Sequence, residues 1–567
     1  MKKKIFLFVI LAIIGVVGAI YLYNVIEIKT APTIQELSEA YPWTPPKDWF
    51  KTDTVTVKGC IEDYDAEKFG FTSMECIYND IFEKDGNIMV IDIADDGTFY
   101  KKIVASYPIK EMFFPNQSNV DLRSIPFFAR PGETIDITVR KGKSGKYECI
   151  YNSGSSRDVE RWLRTADKYK NVFWLPSNFV TDFDEANEMA ELLLKKALSK
   201  LKKIGKREHY TPMEMQLALA DLQVRYGAFF MQRARDYAYS LKEYHENSDG
   251  SHSTEITDSA EWEKVLDAKN YTVLQHIDFD NPLLFTNDVS YLLNTIQFAQ
   301  PVENGMYKGV LEKDGGMLVT FKNYSTLLAN YLAVLHDIMG TDKNNLMVQL
   351  CAYKEFFSRF DEWRAYEELP KDNMTQTEKE KYLANLPTLN NIYPLYLETF
   401  SEPYFREKAE QCYTDRMAQT DIATPLPDAP MADLFHSLCD KYPGRILIID
   451  FWGMSCGPCR ADIQSSKQKR AEIAKRDDVK LIFIAGERTT EGSDEYKKYV
   501  AEWLSDEETI CVTNTDFTRL QEFFRFNGIP HQEVITPDCR RVRDDLRIYG
   551  LDNIDNYLQR LKEKLNI

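Results

Sequence analysis

Two cysteines separated by two residues lie in the run Asp450-Phe451-Trp452-Gly453-Met454-Ser455-Cys456-Gly457-Pro458-Cys459-Arg460. A dithiol at this spacing can close and open a disulfide, and the attacking species in such exchange is the thiolate. The residues before it, Arg445 to Trp452, are apolar enough for a strand buried on both faces, and the stretch after Cys459 reads as a helix. Cys456 therefore falls at a helix N-terminus, where unpaired N–H groups and the helix dipole favour the thiolate. Cys459, one turn further on, is placed to resolve a mixed disulfide, and Pro458 is tolerated because first-turn N–H groups have no helical partner. The same pair could instead be a structural disulfide or half of a zinc knuckle. A knuckle needs a second C-x-x-C, yet Cys60, Cys76, Cys149, Cys351, Cys412, Cys439, Cys511 and Cys539 stand singly, and the seven histidines form no ligand cluster. No metal is expected, and no cofactor beyond the redox-active disulfide Cys456–Cys459. Cys511 and Cys539 lie on or beside strands and read as packing residues.

The elements that must position this dithiol form an α/β pattern over residues 421–567, entered through the proline-rich Thr424-Pro425-Leu426-Pro427-Asp428-Ala429-Pro430, which reads as a linker or an extended domain entry. Strands are expected at 445–452, 479–485, 510–512, 532–535 and 541–542. Helices are expected after Cys459 and near 496–504, 520–524 and 553–565. Ahead of it, period-two alternation such as Thr54-Val55-Thr56-Val57 and Thr134-Ile135-Asp136-Ile137, with Asp95-Asp96-Gly97 and Pro131-Gly132-Glu133 as turn signals, indicates a small antiparallel β domain over 45–153. From 154 to 420 the period becomes helical: Met189, Leu193, Ala197, Leu201 and Ile204 share a face, and Thr211-Pro212-Met213-Glu214 is a capping box with proline at the first helical position. The polar segment 245–260 reads as a loop. The fold class expected is thus multidomain: an N-terminal transmembrane anchor, an antiparallel β domain, a helical middle domain and a C-terminal α/β domain.

With Phe-Trp ahead of Cys-Gly-Pro-Cys, the C-terminal region resembles the thioredoxin superfamily. The resemblance implies a thioredoxin-like fold and gives roles to further residues. Asp450 stands where thioredoxins carry a buried acid that takes the proton of the second cysteine, and Trp452 where a tryptophan packs beside the active site. Gly528-Ile529-Pro530 resembles the cis-proline loop, with the Ile529 backbone offered to a substrate peptide, and Gly550 fits a late glycine. Asp462, and the room for an extra helix–strand unit between Cys456 and Pro530, narrow the resemblance to membrane-anchored periplasmic proteins of the TlpA/ResA (redoxin) type. Three positions depart from the family: Ser455 replaces a tryptophan, His531 replaces a common threonine, and Gln464 replaces a helix-kinking proline, which implies a straighter helix. A peroxiredoxin P-x-x-x-T/S-x-x-C is absent, since Ile449 and Gly453 occupy its positions.

The chain has 567 residues, of which 44% are hydrophobic and 28% charged, with a net charge of −18. That composition excludes a polytopic membrane protein and a disordered chain, and the acidity speaks against nucleic-acid backbone binding. Behind Met1-Lys2-Lys3-Lys4, residues Ile5 to Ile26 carry no charge, which is long enough for one membrane span. Residues 1–28 are therefore expected to be an anchor holding the chain to the inner membrane with its bulk in the periplasm. The alternative is a signal peptide whose cleavage releases it there. Protein disulfides are the expected substrates and a membrane-bound electron donor the expected partner of a thiol-disulfide oxidoreductase. The alternative is a client-recruiting scaffold in which the redox domain is accessory, because the region ahead of residue 421 is far larger than a tether requires.

Overall fold

The computed structural model describes residues 28–82, 87–174, 182–246, 252–286, 289–310, 321–368, 389–548, 550–551 and 553–567. The first part is built on β1 (Asp53–Ile61), β2 (Ser73–Tyr78), β3 (Asn87–Asp92), β4 (Thr98–Ala105), β5 (Ile109–Phe113), β6 (Ile125–Ala129), β7 (Thr134–Lys141) and β8 (Tyr147–Ser153). Four of these form a sheet in the order β4-β1-β7-β8, while β2–β3 and β5–β6 pair separately. The expectation of an antiparallel domain is corrected here: β1 and β7 run parallel, with Val57 opposite Ile135, so the sheet is mixed. Alternation dictates which side chains face the core, as the 0% exposure of Val55 and Val57 illustrates, but it carries no information about strand direction.

Long helices follow, among them α1 (Phe183–Glu208) and α2 (Pro212–Ser240), the latter opened by a capping box in which Thr211 and Glu214 serve each other's backbone N–H. The segment expected as a loop near 245–260 instead pairs β9 (Lys242–Glu246) with β10 (His252–Ile256). One continuous buried cluster, from Leu37 to Ala409, joins this helical region to the strands before it. Phe82 packs on Tyr353 and Phe405, the Tyr353 hydroxyl donates to the Phe82 carbonyl at 2.9 Å, and Phe128 meets Trp162 edge-on.

The membrane-anchor expectation finds no support among the described residues. Residues 1–27, where it falls, lie outside the described residues, and no described helix is long and apolar enough to cross a membrane. Helices with sufficient length, such as α1, carry lysines and glutamates along one face, including Lys195, Lys196 and Lys200.

The last part contains β11 (Ala423–Pro425), α3 (Ala432–Lys441), β12 (Ile446–Trp452), α4 (Gly457–Ser465), α5 (Lys467–Ile473), β13 (Val479–Glu487), α6 (Asp494–Trp503), β14 (Glu508–Thr513), α7 (Asn514–Phe524), β15 (His531–Ile535), β16 (Arg540–Val542) and α8 (Ile554–Leu565). Its sheet has the order β11-β16-β15-β12-β13-β14, with β12, β13 and β14 parallel and β15 antiparallel to β12. Of the two readings of the proline-rich segment, the extended domain entry holds at its start, where Ala423–Pro425 supply an edge strand and Pro425 loses no ladder bond. Alternate residues of β12 enter two cores: Ile446, Ile448 and Trp452 on one face, Leu447, Ile449 and Phe451 on the other.

α7 docks on β3. The Glu522 carboxylate accepts from the Val90 N–H at 2.9 Å and from Lys101 Nζ at 2.6 Å, and Arg519 grips Asp92 at 2.5 Å. Replacing Glu522 with Ala strands the Val90 N–H and one ammonium. It is expected to weaken this docking by about 1–2 kcal/mol. Faster amide exchange at Val90 and a lower denaturation midpoint would check this.

Candidate redox site at the end of β12

Where β12 emerges from the sheet the chain turns through Gly453 to Ser455 and enters α4, with Cys456 as its N-cap residue. Cys456 and Cys459 are joined in a disulfide, and Cys456 Sγ also accepts from the Cys459 N–H at 3.2 Å. Cys456 is 9% exposed and Cys459 1% exposed, so the residue at the helix N-terminus is the more exposed of the two. Gly457 and Pro458 are exposed beside it, and a Cβ on Gly457 would meet nothing within 4 Å.

The antiparallel register of β12 with β15 sets Phe451 against His531, which brings the 528–530 loop beside the turn ahead of Cys456. The Ile529–Pro530 peptide bond is cis. Ile529 Cδ1 stands 3.3 Å from where a Gly453 Cβ would be, so glycine at 453 lets the two loops approach. Pro530 is exposed and Ile529 partly so. Trp452, fully buried, lies against Tyr496 and Tyr499 from α6, with ring centroids at 5.7 and 5.4 Å, and props the turn from beneath. The Tyr499 hydroxyl donates to the Arg460 carbonyl at 3.1 Å.

Asp450 lines a cavity of about 480 Å³ walled also by Asp462, Ile463 and Ser466 below the dithiol turn, by Pro530, His531 and Gln532, and by Arg547 and Gly550. Surrounding protein pushes its pKa up to about 7. Burial is the main cause and the exposed Asp462 adds to it, against a 2.8 Å hydrogen bond from Gln532 Nε2 and the charge of Arg470. Asp462 sits on the rim of this cavity, and its backbone carbonyl accepts from the Ser465 and Ser466 hydroxyls.

The straighter helix implied by Gln464 is not found. α4 ends at Ser465 and α5 begins at Lys467. The break has a local cause: the Ser466 hydroxyl donates back to the Asp462 carbonyl at 2.6 Å. Arg470, 1% exposed, then bolts the joint by donating to the Ile463 and Trp503 carbonyls at 2.9 Å each and pairing with Glu507.

Sequence reasoning missed a second charged group around His531. Glu533 is fully buried, yet its pKa lies below the ordinary glutamate value. Burial pushes it up, but the hydrogen bonds from His531 and Arg541 and the charges of Arg541 and Arg547 outweigh that. Its oxygens lie 2.7 Å from His531 Nε2 and 2.8 Å from Arg541, and His531 stacks on Phe526 at 4.1 Å. The available signal was a glutamate directly ahead of Val534-Ile535, two residues after His531, in the short strand that follows the cis-proline.

No family model matches the chain, and no curated protein matches it either. Among solved structures it is similar to the thioredoxin domain of a thiol-disulfide oxidoreductase of Bacteroides vulgatus, with 20% identity, a TM-score of 0.18 and 21% of this chain on 83% of that one. It is also similar to a thiol:disulfide interchange protein of a Bacteroides species, with 18% identity, a TM-score of 0.17 and 26% of this chain on 86% of that one. A thioredoxin-like protein of Bacteroides caccae gives 13% identity, a TM-score of 0.21 and 47% of this chain on 92% of that one. At such TM-scores the likeness is recorded as a likeness, and the functional reading rests on the chain's own residues.

Asp450 gives a signed expectation. Its folded-state pKa exceeds the unfolded value near 3.8, so the fold holds a proton that the unfolded chain releases between those two values. Stability is therefore lost as pH rises from about 4 to about 7. Asp450→Asn removes that loss, and above pH 7 it should stabilise the chain by on the order of 2–4 kcal/mol while changing little near pH 4. Denaturation midpoints at the two pH values would check this.

Proposed function

We propose that the C-terminal region is a thioredoxin-like thiol-disulfide oxidoreductase that reduces or exchanges protein disulfides through Cys456 and Cys459. The observation that carries this reading is the asymmetry of the pair: Cys456, the more exposed of the two, caps a helix and Cys459, almost wholly buried, lies one turn behind it, with a carboxyl of pKa about 7 on the strand that leads into them. In the reduced enzyme the Cys456 thiolate attacks one sulfur of a substrate disulfide, forming a mixed disulfide and releasing the other as a thiolate. Asp450, directly or through water in the cavity, takes the Cys459 proton. The Cys459 thiolate then attacks Cys456 Sγ, releasing the second substrate thiol and closing the disulfide found here. Two electrons from a donor reopen it.

The Gly457-Pro458 dipeptide supports the reducing direction by resemblance. Asp462 on the cavity rim supports the narrower TlpA/ResA-type reading. The uncharged run at 5–26 supports export to an oxidising compartment, where a reducing dithiol needs electrons delivered through a membrane-bound donor. A second reading, recruitment of a client by the front region, is favoured by a cleft of about 570 Å³. It is shared by Ala66–Ser73, Asn116 and Gln117 with Arg488 and Thr513–Thr515, at the same end of the sheet as the dithiol.

Cys456→Ser should reduce turnover of insulin disulfides, with dithiothreitol as electron donor, to the uncatalysed rate. Undiminished turnover defeats the proposal. Cys459→Ala should accumulate mixed disulfides on Cys456, visible as adducts on non-reducing gels. Because Asp450 acts as a base, turnover should climb through pH 7 in the unaltered protein. In Asp450→Asn that inflection should vanish and turnover should fall by roughly 10- to 100-fold.

A further inference from the structure

Two cysteines that stand far apart in the sequence meet at the end of the C-terminal sheet remote from the dithiol. Cys439 lies in the last turn of α3, just ahead of β12, and Cys539 lies in the turn joining β15 to β16. Each thiol lies close enough to the other to shift its proton affinity. Cys539 Sγ is also 3.5 Å from the carbonyl of Phe435, the residue one helical turn before Cys439, so the sulfur is aimed at the turn that carries its neighbour. Both residues are partly exposed and pack on the same core.

The backbone supplies an independent observation. Thr536 to Cys539 forms a turn closed by the Cys539 N–H on the Thr536 carbonyl at 2.9 Å, and Cys539 takes its left-handed corner with φ of 60°. Glycine is the favoured residue there, because a Cβ is strained in that conformation. A cysteine kept in a strained corner, with its sulfur against a second cysteine, points to a use for the side chain.

We propose that Cys439 and Cys539 form a second disulfide, which clamps α3 to the β15–β16 turn. It encloses in one covalent loop the segment holding Asp450, the dithiol and the cis-proline. In forming it, each thiol gives up a proton, the two sulfurs join in one S–S bond, and two electrons pass to an oxidised disulfide such as glutathione disulfide, which is cleaved to two thiols. Burial raises both thiols above the ordinary cysteine range and the charges of Asp440 and Asp538 raise them further, which lowers the thiolate fraction and makes closure by disulfide exchange slow. The bond is distinct from the catalytic pair and does not require that pair to turn over.

The test uses the full chain carrying Cys456→Ser and Cys459→Ser, equilibrated with excess glutathione disulfide, alkylated without reduction and mapped by mass spectrometry. A Cys439–Cys539 linked peptide is expected. The oxidised protein should also melt roughly 5–15 °C above its reduced form, the size a long closed loop predicts. Adding Cys539→Gly, which suits the left-handed corner, should abolish the linked peptide and the oxidation-dependent rise while leaving the reduced protein folded. Thiols that both remain open to alkylation, or that are each capped separately by glutathione, would overturn the proposal.

Discussion

The antiparallel register between β12 and β15 sets Asp450 against Gln532 and Phe451 against His531, and the rest of the redox site follows from it. Because β12 is buried on both faces, a slip of one residue would drive Asp450 into the opposite core and turn Trp452 away from the tyrosines of α6. The same register carries the 528–530 loop to the level of the turn ahead of Cys456. The depth of the carboxyl, the support under the turn and the nearness of the cis-proline are therefore one constraint.

Two carboxylates near this site show how environment divides a single chemistry. Asp450 has one amide donor and a distant arginine against its desolvation, so it holds its proton to about pH 7. Glu533, on the same β15 that supplies Gln532, is buried more completely but meets two arginines and a histidine, so it stays ionised. Burial alone does not decide the protonation state; the number of cationic donors does. The result is a proton acceptor poised near neutrality beside a fixed negative charge that organises Arg541 and Arg547.

What could be read in the sequence follows the range of the interactions. The dithiol, the strand leading to it and the helix after it were legible because their signals are local: an apolar run, a proline in a first turn, two cysteines at a set spacing. The strand–helix alternation from 446 onward was legible for the same reason. The parallel pairing of β1 with β7, the use of Ala423–Pro425 as an edge strand and the meeting of Cys439 with Cys539 were not, since each depends on which distant segments become neighbours. The break at Ser466 escaped for a subtler reason. A helix can be interrupted by a hydroxyl bonding back to its own carbonyls as well as by proline, and a serine announces that far less clearly.

The docking of α7 on β3 has a further consequence. β3 pairs with β2 on one side only, so its outer edge presents backbone groups that would otherwise template another strand. Glu522 caps the Val90 N–H on that edge and Lys101 caps the Val90 carbonyl at 2.8 Å. An ion pair between two regions thus doubles as a guard against edge-to-edge association. The C-terminal region thereby contributes to the colloidal safety of the strands ahead of it, quite apart from its dithiol.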